Sequence, residues 1–244
     1  MIAWEQAGYP TVPFRLEQNV SPHPAGAPVK AENVPEALPT PPATVHAHTF
    51  LSGLVGSYAT HQGPPVRKEL TVLFVDIADS TVAVATQAPE TTLAQVQNFM
   101  EVVTEVALAH CGDVKDYEGD GALLYFDSVV EATQAALAIR ERLALTQEIQ
   151  HTPVRARFSL NVGGVVIGVI GTALRRSVAL IGSSINLAAR LLKQIPPGGI
   201  IATAAVVEHL RRESPELAAQ FVLWKTDLEL KGFTAEQVTA FHVP

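Results

Sequence analysis

The sequence predicts an α+β fold, a ferredoxin-like βαββαβ core with C-terminal additions. Three observations point there. The β-branched apolar run Glu69–Ile77 (ELTVLFVDI) reads as a central strand. Two long segments of helical period flank a pair of short strands around Gly119-Asp120-Gly121. A further apolar stretch, FSLNVGGVVIGVIGTAL, lies between Arg157 and Arg175 and is broken by glycines. It is too short for an ordinary membrane helix and reads as a glycine-broken β-hairpin.

Each element follows from local chemistry. Pro89 suits a first helical position and Glu90 the first turn. Leu93, Val96, Phe99, Met100, Val103 and Val106 then recur at spacings of three and four, predicting an amphipathic helix to about His110. Residues 113–126 predict two strands. Ser128 with Glu131 forms a capping-box signature for a second helix to about Leu145. Residues 154–162 and 165–171 predict a hairpin broken at Gly163-Gly164. A helix is expected from about Ser184 to Gln194, stopped by Pro196-Pro197. Beyond it come a strand near 199–202, a helix near 203–212 and strands near 221–230 and 237–243. The helices are expected on one face of the sheet.

The domain reading is a Pro-rich flexible arm or linker over 1–47, a short helix and connector over 48–66, and a catalytic domain over 67–244. Pro22, Pro24, Pro28, Pro35, Pro39, Pro41 and Pro42 give the first segment its character. The chain of 244 residues is long enough to bury a core, and its 48% hydrophobic content excludes wholesale disorder. A net charge of -7 argues against nucleic acid as a partner. One cysteine, Cys111, excludes an internal disulfide framework and fits a reducing compartment. With no signal peptide at the start and no membrane insertion expected, the reading is cytoplasmic.

Two acidic residues carry the candidate chemistry. Asp76 sits at the exit of the first strand and Asp120 in the tight turn of the 113–126 hairpin. If that hairpin pairs beside the first strand, both carboxylates reach one end of the sheet. Converging carboxylates suit Mg²⁺ or Mn²⁺, although an aspartate after a strand and a Gly-Asp-Gly turn are each ordinary on their own. The small residues Ala78, Asp79, Ser80 and Thr81 leave backbone N–H groups to face an anion, or else simply cap the next helix. Asn186 and Arg190 are four apart and share a helical face, a pairing that suits sugar and phosphate or a solvated surface. Leu187, Leu191 and Ile195 should pack inward.

Taken together, LTVLFVDIADST, CGDVKDYEGDGALLYF, VRARFSLNVGGVVIGVIG, RRSVALIGSSINLAARLLKQIPPGGIIAT and LELKGFTAEQVTAFHV resemble, in order and spacing, the class III adenylate/guanylate cyclase catalytic domain. The resemblance covers roughly residues 67–244. It implies that Asp76 and Asp120, with the Ile77 carbonyl, bind two divalent metal ions. It implies that Asn186 orients the ribose of a nucleoside triphosphate and that Arg190 stabilises charge at the α-phosphorus. Lys231 matches a lysine that contacts the terminal phosphates, and Arg175 an arginine before the catalytic helix. It also implies a head-to-tail homodimer, with metal ligands and the Asn/Arg pair of one site drawn from different subunits.

The base-selecting positions of the family fall on Asp116 and Ala179. Adenylate cyclases usually carry Lys where this chain has Asp116, and an ionised carboxylate cannot donate to adenine N1. Lys115 is one residue out of register and, in a regular strand, should point to the other face, unless a local bulge swings it round or a backbone group reads adenine instead. The hydrogen-bond logic therefore leans toward guanine or cytosine. Asn161 and Ser159, where the family often has His and Gly, are milder departures that concern packing. Two other readings stay open. One is a degenerate cyclase-like regulatory domain, disfavoured because Asp76, Asp120, Asn186 and Arg190 all stand. The other is a diguanylate cyclase, whose Gly-Gly-Asp/Glu-Glu-Phe turn is absent.

Overall fold

The computed structural model describes residues 64–150, 154–172, 175–233 and 238–244, with backbone alone at 81–83, 146–150 and 175–176. The arm over 1–47 and the short helix near 48–60 lie outside the described residues. The order is β1 (Val66–Ile77), α1 (Ser80–Thr86), α2 (Pro89–Ala109), β2 (Asp113–Glu118), β3 (Gly121–Phe126), α3 (Val129–Gln150) and β4 (Ala156–Thr172). There follow β5 (Arg175–Ile181), α4 (Ser183–Leu191) with a 3₁₀ turn at Leu192–Gln194, and β6 (Ile200–Thr203). Then come α5 (Ala204–Glu213), α6 (Pro215–Ala218), β7 (Val222–Leu228) and β8 (Val238–Val243).

Seven strands run in the order β2-β3-β1-β4-β6-β8-β7, and β5 pairs with β4 off that path. The segment β4-β1-β3-β2 is the expected βαββαβ arrangement, and β6, β8 and β7 are the additions. All pairings are antiparallel except that of β4 with β6. The predicted helix starts hold: Pro89 opens α2, and the Glu131 N–H donates to Ser128 Oγ at 3.3 Å at the start of α3.

Two expectations need correction. Helices cover both faces of the sheet. Leu73, Val75, Leu124, Phe126, Phe158 and Leu160 bury their side chains among residues of α2, α3 and α5. Val72 and Leu123 alternate with them and meet Ala188 of α4 on the opposite face. The second correction concerns β4. It runs unbroken through Gly163 and Gly164 and pairs with β5, not with itself, Thr172 lying opposite Arg175. A glycine pair commonly marks a turn, but Gly163 serves a close approach: a Cβ there would lie 2.9 Å from Ser184 Cβ. Absence of a side chain lets α4 settle onto the strand.

Candidate functional site

The site is set by where β1 ends. Asp76 lies opposite Gly121 of β3 on one side and Arg157 of β4 on the other. The Ile77 N–H donates to the Asp120 carbonyl at 3.2 Å, which ties the strand end to the hairpin turn. Gly119, with φ of 65°, supplies the left-handed residue that turn requires. Asp76 and Asp120 therefore converge, as their positions in the sequence imply. Burial first, then repulsion from Asp120 and a hydrogen bond shared with it, push the Asp76 carboxyl up to about 6. Arg157 and Lys193 pull the other way.

A cavity of about 350 Å³ opens beside this pair, lined by Asp76, Glu118, Asn186, Arg190 and Lys193 among others. Asn186 and Arg190 are exposed on one face of α4, while Ala188 and Leu191 are buried on the other. A second cavity of about 360 Å³ adjoins it, lined by Lys115, Asp116, Ser177, Ala179 and again Asn186. The structure thus brings Asp116 and Ala179 together, and Asn186 borders both spaces.

Lys115 departs from strict alternation by the local bulge that the sequence leaves open. The β2–β3 register pairs Val114 with Leu124 but Asp116 with Leu123, so Lys115 is the extra residue of a β-bulge. The bulge turns Lys115 into the same cavity as Asp116, and the two form an ion pair. The Lys115 side chain is only 8% exposed against 52% for Asp116, so the cation is the more enclosed partner.

The remaining expected residues are placed less centrally. The Ala78 N–H is committed to the Arg155 carbonyl at 2.7 Å and does not face an anion. Asp79 has a φ of 61° and pairs with Arg157 at 3.4 Å. Ser80 and Thr81 open α1. Lys231 is exposed just before Gly232 and lines neither cavity. Arg175 begins β5, and its side chain lies outside the described residues. Sequence reasoning missed Lys193 and Arg157. Lys193 was findable, three residues past Arg190 and seven past Asn186 on the same helical face. Arg157 was not, because only the β1–β4 register puts it opposite Asp76.

Among the described residues no group of three or more His, Cys, Asp or Glu is placed to hold a metal ion. The donor set at Asp76 and Asp120 is two carboxylates in mutual repulsion. It fits a hard divalent cation that completes its shell with water and substrate oxygens. No helix among the described residues is long and apolar enough to cross a membrane.

Residues 64–242 match the model of the adenylate and guanylate cyclase catalytic domain. The chain is 29% identical over 154 residues to "Adenylate cyclase 1" of Rhizobium meliloti, covering 58% of this chain and 23% of that protein. It is 30% identical over 156 residues to an uncharacterized protein of Mycobacterium tuberculosis, covering 60% of this chain and 28% of that one. The match thus spans about a quarter of the length of these relatives. Among solved structures, the adenylyl cyclase CyaB from P. aeruginosa is similar with a TM-score of 0.67 at 22% identity, over 75% of this chain and 96% of that one. The guanylate cyclase domain of RhGC from Catenaria anguillulae, in complex with GTP, is similar with a TM-score of 0.63 at 21% identity, over 75% and 98%. These likenesses support the fold.

The crowded carboxylates generate a stability prediction. Asp76→Asn removes a half-buried charge that faces Asp120 and should raise Tm in chelator at pH 7.5. The gain should fade as pH falls through about 6, because the wild-type carboxyl is then protonated in the folded state. Mn²⁺ should raise the Tm of the wild type and not of the variant. Thermal unfolding with and without Mn²⁺ at the two pH values checks this.

Proposed function

We propose a reaction for this protein on one premise: the chain belongs to the adenylate and guanylate cyclase catalytic domain family. The reading is a nucleotide cyclase, in cyclic nucleotide signalling, that converts a nucleoside triphosphate to its 3′,5′-cyclic monophosphate and pyrophosphate. The observation that carries it is the meeting of Asp76 and Asp120 at the end of β1, with Asp76 lining a cavity that Asn186 and Arg190 also line. The ribose 3′-oxygen forms a bond to the α-phosphorus, and the bond from that phosphorus to pyrophosphate breaks. The hydroxyl proton goes to solvent.

Asp76 and Asp120, with the Ile77 carbonyl, would hold two divalent ions, Mg²⁺ or Mn²⁺. When bound, such ions neutralise phosphate charge and acidify the attacking hydroxyl. The chain's own residues do the rest. Asn186, at the border of both cavities, holds the ribose between base and phosphates. The planar Arg190 guanidinium matches charge spread over equatorial phosphate oxygens. Lys231, Arg175 and the Asp79–Thr81 turn are the further phosphate contacts that the family likeness implies. Ala78 drops from that set because its N–H is already bonded.

The base is read by Lys115 and Asp116 together. With Lys115 in the cavity, adenine N1 has a donor and the adenine amino group an acceptor. The lone-pair conflict that argued against ATP is thereby removed. Guanine could still use Asp116 through its own N–H donors. Exposed apolar side chains on the β4–β5 ribbon, Ile170 at 55% and Ile181 at 63%, support a second copy of the chain as the partner that closes the site.

Three measurements test this reading. Mass spectrometry of products from the four triphosphates with Mn²⁺ or Mg²⁺ should show a cyclic monophosphate and pyrophosphate. Recovery of all four triphosphates unchanged would overturn the reading. Inactive Asp76→Ala and Arg190→Ala chains, mixed one to one, should recover about a quarter of wild-type activity if sites are shared across a two-fold dimer. No recovery, with subunit exchange verified, would mean each protomer completes its own site. Lys115→Met keeps the apolar stem but deletes the donor. It should shift the kcat/KM ratio away from ATP toward GTP by about tenfold or more, and an unmoved ratio would exclude Lys115 as a reader.

A further inference from the structure

The two departures on β4, Ser159 and Asn161, are wholly enclosed, at 0% and 3% exposure. Neither is a filler. Ser159 Oγ donates to the Ala188 carbonyl at 2.8 Å, and Asn161 Nδ2 donates to the Ser184 carbonyl at 2.9 Å. Both acceptors lie on α4. Residues two apart on a strand are about 6.6 Å apart, and residues four apart on a helix rise about 6.0 Å. Two rungs of the strand therefore meet two successive turns of the helix nearly in step.

A third group fixes the rung at Asn161. Thr203 Oγ1 donates to Asn161 Oδ1 at 2.8 Å. Thr203 is the N-cap residue of α5, where a hydroxyl commonly bonds the helix's own N–H groups, yet it makes no capping bond. Its hydroxyl is directed to Asn161 and thereby holds the amide with Nδ2 toward α4.

Between the rungs Gly163, Ser184 and Ala188 offer little side chain, and Gly163 brings the backbones close. Larger apolar side chains anchor α4 to either side: Ile185 packs with Val72 and Leu123, and Leu187 and Leu191 pack with Ile201 and Leu228. Along the strand-facing row itself, where the side chains are small, the two hydrogen bonds supply the directional restraint. Ser184 and Ala188 face the strand. Asn186 and Arg190, two positions further on in each case, project from the other side into the cavities. Rotation of α4 about its axis moves the exposed pair most.

We infer that Ser159 and Asn161, backed by Thr203, are positioning residues that set the rotation and height of α4 and so place Asn186 and Arg190. The catalytic consequence rests on the cyclase reading above; the mechanical one does not. A buried network that served stability alone would lower Tm without singling out α4.

The test uses the full chain with Ser159→Ala and Thr203→Val, two small changes that delete one hydrogen bond each. Asn161→Ala joins them if it folds. Amide hydrogen exchange is followed at 184–192 and at 204–213. Exchange in the α4 segment should speed up by about tenfold or more, with α5 unchanged. On a triphosphate that the wild type turns over, kcat should fall about tenfold or more with KM within about threefold, because a small misplacement acts on the transition state. Unchanged α4 exchange in both variants would overturn the inference, as would a kcat within about threefold of wild type in variants whose α4 exchange is faster. Faster α4 exchange in a chain that turns over no triphosphate would sink the cyclase reading and leave the positioning role standing.

Discussion

The hydrogen-bonded ladder that holds β1 between β3 and β4 is the constraint on which the site depends. It sets Asp76 opposite both Gly121 and Arg157. A slip of one residue would send Asp76 to the face packed by α2 and α3 and replace it with an apolar neighbour. The strand's own pattern does little to forbid that slip, because it is apolar on both faces: Leu73 and Val75 on one, Val72 and Phe74 on the other. What resists it is the turn. The Ile77 N–H bond to the Asp120 carbonyl closes the ladder, and Gly121 leaves room where a Cβ would stand 3.0 Å from the Val75 carbonyl and 3.3 Å from Asp76 Oδ1. A glycine at that position lets the carboxylate lie against the hairpin.

The same register assembles the charges. Two carboxylates drawn together in a half-buried place oppose each other, and the rise of the Asp76 pKa expresses that opposition. Arg157 and Lys193 reach the pair from different elements, one by strand pairing and one along the helix that carries Arg190. Arg157 also pairs with Asp79, so the start of α1 is coupled to the same cation. The local field at the cavity is a balance of opposite charges.

Much of this was legible in the sequence, and the failures have physical causes. Periodicity located both long helices, Pro89 and Ser128 located their starts, and the Gly-Asp-Gly turn together with the β1 exit located the carboxylates. The unbroken course of β4 was not legible because Gly163-Gly164 carries the usual signature of a turn. Here that glycine signal reflects the approach of α4, a contact between segments about twenty residues apart. Lys115 could not be placed for a related reason. Strict alternation sends it away from Asp116, and a bulge is a property of the pairing with β3, invisible in β2 alone. Arg157 likewise acquires meaning only from its partner strand. Side-chain identity and local period were readable; long-range register was not.

One strand joins the carboxylate end of β1 to the helix that carries Asn186 and Arg190. The α4-facing row of β4 reads Arg157, Ser159, Asn161 and Gly163. Arg157 addresses the carboxylate at the end of β1, Ser159 and Asn161 bond the second and first turns of α4, and Gly163 meets the helix start. The opposite row, Phe158 and Leu160, is apolar and anchors the strand in the helix-covered core. An apolar row on both faces would bury more surface, but directional bonds to helix carbonyls set the rotation of the helix more sharply than small apolar side chains can, and each buried polar atom in the row that makes them is satisfied. The distance between the carboxylate pair and the Asn186/Arg190 face of one protomer is therefore set within one strand, so that in a two-fold dimer with shared sites it relates the carboxylate half of one site to the Asn/Arg half of the other.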